Sequence, residues 1–311
     1  MYELKRILVP TDFSRHAEDA FKHALVLGSR YNADVTVLHV DEYSLLPLAS
    51  EVSAKEVCEA YREAASELIA GCFARLSHGA AGHSVRVEPM VKYGRAYKTI
   101  IEEAEHGNYD LVIQAARGQT HLSSSLIGGN AERVVRLSRQ PVLTVRSAPQ
   151  SEGQVQSVLC PTDLSPAGNV ALPYALSIAR QNHATLYLHY ISELERPEAR
   201  EDLLRRIPDL GKFHPLASEV NVEYVFDRDL EPSNSIIRFA EDRDIEIIVM
   251  STHGRKGLRR VHIGNNTAEV VRQSNRPVLT VTHPLHRTVF SPPATEQKNT
   301  GPLIQNTESM L

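Results

Sequence analysis

The 311-residue chain contains no tryptophan and only three cysteines, and aromatic residues make up 6% of it. Cys58, Cys72 and Cys160 form no Cys-x-x-Cys pair and stand in apolar or helical surroundings. That pattern argues against a disulfide framework or a thiolate metal site, and fits buried thiols in a reducing, cytoplasmic compartment. No apolar run approaches the ~18 residues of a membrane span, and the opening MYELKRILVP enters a strand-like run without a signal-type apolar region. Net positive charge is missing too: Lys+Arg of 34 against Asp+Glu of 38 leaves −4. With no global field to draw in nucleic acid or an anionic membrane, any anion has to be recognised locally. The 14 histidines make no HExxH or HxxxH spacing, and no GxxxxGK[ST] phosphate loop occurs.

What the chain does contain, it contains twice. RILVPTDFS (6–14) returns as SVLCPTDLS (157–165), ADVTVLHV (33–40) as ATLYLHY (184–190), and PVLTV (141–145) letter for letter at 277–281. Asp12 and His39 recur about 150 residues on as Asp163 and His189; Gly118, Gly128 and Pro141 recur about 136 on as Gly254, Gly264 and Pro277. The second copy is therefore shorter between its second and third strands, where Pro197, Pro208 and Pro215 interrupt the helix. In the first copy short β-branched runs alternate with segments of helical periodicity, such as Ala17, Ala20, Phe21, Ala24 and Leu25, and a long amphipathic helix is expected over 53–76. The order βαβαβαβαβ implies an α/β fold with parallel strands and helices on both faces. The boundaries expected are residues 1–147 for the first domain and 154–283 for the second, with 284–311 a disordered tail rich in Pro, Thr, Asn and Gln.

A sheet covered on both faces must reverse its winding once, and ligands of such sheets bind at that reversal, outside the carboxyl ends of the strands. The loops that meet there follow strands one and four: PTDFS with ARGQTHLSSSLIGGN in the first copy, PTDLS with THGRKGLRRVHIGNN in the second. PTDxS after the first strand, Gly-xx-Gly, a further Gly nine residues on, then a helix and PVLxV together resemble the universal stress protein family, in tandem form. The resemblance implies two flavodoxin-like sandwiches of the adenine nucleotide alpha hydrolase type, each with a five-stranded parallel sheet in the order 3-2-1-4-5. It further implies that the two last strands pair antiparallel across a pseudo-twofold. Some members hold ATP in the crevice, and others lack the glycines and do not.

Carried onto this chain, the resemblance makes Thr162, Asp163, Tyr190, Ser251, Thr252, His253, Gly254, Arg255, Gly257, Gly264, Asn265, Asn266 and Thr267 the candidate nucleotide site of the second copy. The weaker candidates of the first copy are Thr11, Asp12, Val40, Ala115, Arg117, Gly118, Gly128, Gly129 and Asn130. The second copy departs from the pattern at Ser251 and Asn265; the first has Ala115 for the leading Gly and no hydroxyl after Gly128. Physical chemistry ranks them alike. Glycine lets main chain approach phosphate oxygens closely, and free amides at a helix start favour negative charge. Asn266 and Glu269 have the spacing of a capping box.

Blander readings compete. Asp12 and Asp163 suit the turn into the first helix, and RKGLRR suits a solvated loop. HIGN (262–265) follows the fourth strand rather than the first, where a synthetase-type signature belongs. The expectation is a stress-response protein that holds ATP (or ADP or AMP) mainly in the second domain, as a switch for partner or oligomer interactions. Mg accompanying the nucleotide is the only metal foreseen. The halves should form an intramolecular pseudo-dimer, with homodimerisation open and no nucleic-acid or membrane partner. No nucleophile, base and orienter set is recognisable, so at most slow ATP hydrolysis is foreseen. The alternative is a scaffold or small-ligand-binding protein with vestigial crevices.

Overall fold

The computed structural model describes residues 4–42, 71, 74, 85–118, 128–149, 154–192, 219–253 and 264–282. The rest of the helix expected over 53–76, the shortened helix of the second copy, the loop carrying Gly254, Arg255 and Gly257, and the tail from 283 lie outside these residues.

The first half runs β1 (Arg6–Thr11), α1 (Arg15–Tyr31), β2 (Asp34–Asp41), β3 (Val87–Tyr93), α2 (Ala96–His106), β4 (Leu111–Ala115), α3 (Gly129–Leu137) and β5 (Val142–Val145). The second runs β6 (Ser157–Thr162), a 3-10 turn (Gly168–Ala171), α4 (Leu172–Asn182), β7 (Thr185–Ser192), β8 (Asn221–Arg228), α5 (Pro232–Asp242), β9 (Ile247–Ser251), α6 (Asn265–Gln273) and β10 (Val278–Val281). The central strands are buried almost end to end, because helices cover both faces of a parallel sheet. Helix α1 buries Ala17, Ala20, Phe21, Ala24 and Leu25, the stripe its periodicity foretells.

One departure from strict repetition stands at the first helix of the second half. Ser14 caps α1 by accepting from Ala17 N–H, and a regular helix of 17 residues follows. Ser165 accepts likewise from Gly168 N–H, but the chain then makes a 3-10 turn before α4, which has only 11 residues. Pro173 in the first turn of α4 lacks an N–H, and Gly168 disfavours helix, which together delay its start.

The strands form one ten-stranded sheet in the order β3-β2-β1-β4-β5-β10-β9-β6-β7-β8, so each half has its strands in the order 3-2-1-4-5. Pairing within each half is parallel, and β5 and β10 pair antiparallel, with Leu143 opposite Leu279. The two last strands, which would each leave an open edge alone, close on one another. The buried core on either face contains residues of both halves: Ile7, Leu143, Val158 and Leu279 on one, Leu8, Val142, Leu159 and Val278 on the other.

Candidate functional site

The reversal of winding falls between β1 and β4 and between β6 and β9. PTDxS, at the carboxyl ends of β1 and β6, forms one wall of each crevice as a strained turn. Thr11 Oγ1 accepts from Phe13 N–H and Asp12 Oδ1 from Ser14 N–H, both at 3.0 Å. Thr162 Oγ1 accepts from Leu164 N–H at 3.0 Å, and Asp163 Oδ1 from Ser165 N–H at 2.9 Å. Two side chains that each bind the amide two residues on force the residue between them into the left-handed region, at φ 61° for Phe13 and 59° for Leu164. A bulky residue there costs about 1–2 kcal/mol, so the motif holds a backbone that neither residue favours by itself. The turn-forming reading of Asp12 and Asp163 is thus satisfied in both halves.

Asp12 Oδ2 reaches across the crevice to the loop after β4: a Cβ at Gly118 would lie 2.5 Å from it. Asp163 packs against its own loop through Oδ1. Its Oδ1 accepts from Ser165 Oγ at 2.6 Å and would lie 2.4 Å from a Cβ at Gly168. Thr162 is anchored as well, its hydroxyl donating to Asn169 Oδ1 at 2.9 Å. Ser165, Gly168 and Asn169 were not among the sequence candidates, although Gly168 stands where the first copy has Ala17.

On the opposite wall, α3 and α6 start alike. Gly128 and Gly264 are the caps, at φ −64°, ψ 140° and φ −59°, ψ 140°, and neither helix has a side-chain cap. The expected capping box is absent. Glu269 pairs with Arg272 at 2.6 Å and also accepts from Gln273, because these partners lie one turn along the helix. First-turn amides have no intrahelical acceptor, so those of α6 retain donor capacity at its exposed start, where Asn265 and Asn266 stand. Gly264 is required neither by its φ nor by packing, since a Cβ would meet Thr252 O at 3.5 Å and Thr267 Oγ1 at 3.9 Å, ordinary contacts. Gly129 and Asn130 occupy the matching exposed positions of α3, with Glu132 in its first turn; no acid stands in the first turn of α6.

Several candidates are framework instead. Thr267 is buried and donates to Ser251 O at 2.8 Å; Ser251 Oγ accepts from His253 N–H at 3.2 Å. Thr252 Oγ1 lies 2.9 Å from His253 Nδ1 and 3.5 Å from Thr282 Oγ1, all buried. Gly264 N–H donates to Thr252 O at 2.8 Å, and Gly128 N–H to Ala116 O at the same distance. In the first half Gln114 joins α3 to the sheet by donating to Ala131 O at 2.9 Å. Ala115 ends β4, and Arg117 follows it, half-buried. Val40 and Tyr190 sit half-buried near the ends of β2 and β7.

One polar chain escaped the sequence reading. His189, fully buried, donates through Nε2 to Asp227 Oδ2 at 3.0 Å, and Ser235 Oγ donates to the same oxygen at 3.0 Å. Burial pushes the imidazole below its ordinary value, Asp227 pulls it up, and Arg238 pushes it down again. The carboxylate stands between serine and histidine, so the imidazole is not placed to take the serine proton and the set fastens β7 and β8 to α5. Its counterpart His39 donates from Nδ1 to Thr11 O at 2.9 Å and stacks near Phe13, centroids 4.7 Å apart. Among the described residues no group of three or more His, Cys, Asp or Glu is arranged to hold a metal, and no helix is long and apolar enough to cross a membrane.

Comparison with known proteins agrees with this architecture. The Universal stress protein family profile matches residues 3–146 and again 154–282. Universal stress protein Slr1230 of Synechocystis is 25% identical over 303 residues, 89% of this chain and 99% of that protein. Universal stress protein MJ0531 of Methanocaldococcus jannaschii is 30% identical over 143 residues, 46% of this chain and 82% of that one. A universal stress protein crystal structure from Archaeoglobus fulgidus superposes with a TM-score of 0.66 at 20% identity, over 89% of this chain and 98% of the other. Carrying the family's sequence pattern twice, this chain belongs to the universal stress protein family.

Proposed function

We propose that this protein binds an adenine nucleotide, ATP or its ADP and AMP relatives, in the crevice of the second half, and that occupancy serves as a conformational switch in a stress response. The observation that carries the reading is the start of α6. Uncapped amides, no first-turn acid and a glycine that the fold itself does not need leave room and donors for phosphate oxygens. Asp163, with Oδ1 held by Ser165, and Tyr190, two residues before the end of β7, would flank the adenosine part. Gly254, Arg255 and Gly257 would complete the phosphate cradle, Asn265 and Asn266 its rim, and Thr252, His253 and Thr267 its buried support. In the cytoplasm the two halves would act as an intramolecular pseudo-dimer, with the residues from Thr252 to Asn266 as the segment that responds to ligand.

The first half is read as a scaffold. Asp12 against Gly118 sets a negative charge beside the loop that phosphate would occupy. Acid extraction of the purified protein tests both readings: near-stoichiometric adenine nucleotide supports the switch, and an empty extract with no thermal shift in millimolar ATP removes it.

A further inference from the structure

Closing β5 on β10 leaves the sheet two outer edges, β3 and β8, and among the described residues no strand pairs with the far side of either. The two edges match position for position. Val37 lies between Val9 and Pro89 in the first half, and Leu188 lies between Cys160 and Tyr224 in the second, so Tyr224 stands where the first half has Pro89. Main-chain groups of a strand point alternately to its two sides. Val35 N–H donates to Arg86 O and Gly94 N–H to Asp41 O, so the even-numbered residues of β3 bond inward and the main chain of Pro89 faces out. Asp229 N–H donates to Ser192 O, so the odd-numbered residues of β8 bond inward and the main chain of Val222 and Tyr224 faces out. A proline in the outward position removes a donor from the middle of the edge, a common guard against pairing with another chain. β8 runs for eight residues without a proline, and Tyr224, 40% exposed, occupies the guard's position.

We propose that the outer edge of β8 pairs antiparallel with the same strand of a second copy, giving a twofold homodimer in which one sheet runs through both chains. The side chains of the strand select a register. Centred on Tyr224, the pairing sets Tyr224 against Tyr224, Val222 against Phe226, Glu223 against Val225 and Asn221 against Asp227, so apolar groups meet and no like charges do. Centred on Val225 it would set Glu223 against Asp227, and centred on Glu223 it would set that carboxylate against its own copy. Pairing of like with like uses the one outer edge that lacks a proline, so assembly closes at two chains. The contact is of the kind the chain already makes within itself, where β5 and β10 pair antiparallel with Leu143 opposite Leu279.

Sedimentation equilibrium of the full chain at micromolar concentration tests the proposal. The wild type should show twice the chain mass of 34.6 kDa. Tyr224→Pro, which copies the first half's guard at the matching position, should sediment as a monomer with its far-UV circular dichroism unchanged. Tyr224→Lys keeps every main-chain donor, places two like charges at the twofold axis and should also lose the dimer, so the outcome does not hang on the folding of the proline variant. A dimer split by Tyr224→Lys while the circular dichroism holds supports the β8 interface. A dimer that survives Tyr224→Lys lies on another surface and overturns it. A monomeric wild type overturns the homodimer and leaves the edge to a strand of a different protein.

Discussion

In the second half Gly168 makes room for Asp163 Oδ1, whereas in the first Ala17 stands at the matching position. The same PTDxS turn, with the same left-handed residue, is thus backed by a different residue in each half. Duplication kept what the sheet needs and let the crevice walls diverge. Where Ala17 continues α1, Gly168 leaves space for a carboxylate, and the helix behind it starts later. Where α3 has Glu132 in its first turn, α6 has Ala268.

The largest expected effect breaks the comparison at the helix starts. Gly264 is in a backbone region open to any residue, so Gly264→Val should fold. It should remove a nucleotide stabilisation that amounts to about 2.7 kcal/mol at a ligand concentration about 100 times Kd. Gly129→Ala, where nothing lies within 4 Å of the added atom, should leave the ATP response intact. Equal losses from both would erase the distinction between the halves.

Copying the first half's residue into the second comes next. Gly168→Ala would drive a methyl into Asp163 Oδ1, which two hydrogen bonds hold in place, and should lower stability by about 1–3 kcal/mol in urea unfolding. The opposite copy, Ala17→Gly, should lower it by only about 0.5–1 kcal/mol, the backbone penalty in a helix. A harmless Gly168→Ala would show that the carboxylate is free to swing.

Acidification tests the buried histidine of β7. The pKa of His189 is lowered in the folded state, so the unfolded chain binds more protons between the folded value and the ordinary 6.5. Its contribution is complete above the unfolded value and is lost as pH falls through 6.5 towards the folded value. Measured between pH 7.5 and 5.5, His189→Gln should flatten this loss of stability. A residual slope should remain from His23, also lowered by burial against the opposing effect of its bond to Ser147 O. An unchanged slope in His189→Gln would show the imidazole to be charged or solvated.

The smallest effect is expected at Cys160, matched by Val9 in β1. Burial pushes this thiol up to about 12. It should resist iodoacetamide in the native protein at pH 8 and react once unfolded, and Cys160→Val should change stability by less than about 1.5 kcal/mol. Native alkylation would reveal an opening near β6.

Much of this architecture was legible because it is periodic. Buried parallel strands such as ILV and IIVM need continuous apolar runs, the α1 stripe needs 3.6-residue spacing, and the second PVLTV announces a second unit. The order of the strands within each half came with the family resemblance, and the pairing of the halves fits two edges that each needed closing. The crevice was less legible. The reach of Asp12 to Gly118 depends on the stagger between β1 and β4, where Ile7 pairs with Leu111, a tertiary register that no local pattern encodes. The capping box failed for a local reason, since Glu269 has Arg272 and Gln273 within one turn. The His189–Asp227–Ser235 chain joins residues of three elements, and its only linear sign is a buried histidine opposite a strand with an acid two positions on.

The most direct measurement is calorimetric titration of the full chain with ATP. A stoichiometry of one nucleotide per chain, abolished by Gly264→Val and preserved in Gly129→Ala, is the predicted result. Two equivalent sites, no heat of binding, or a single site indifferent to Gly264→Val would contradict the assignment of the nucleotide to the start of α6.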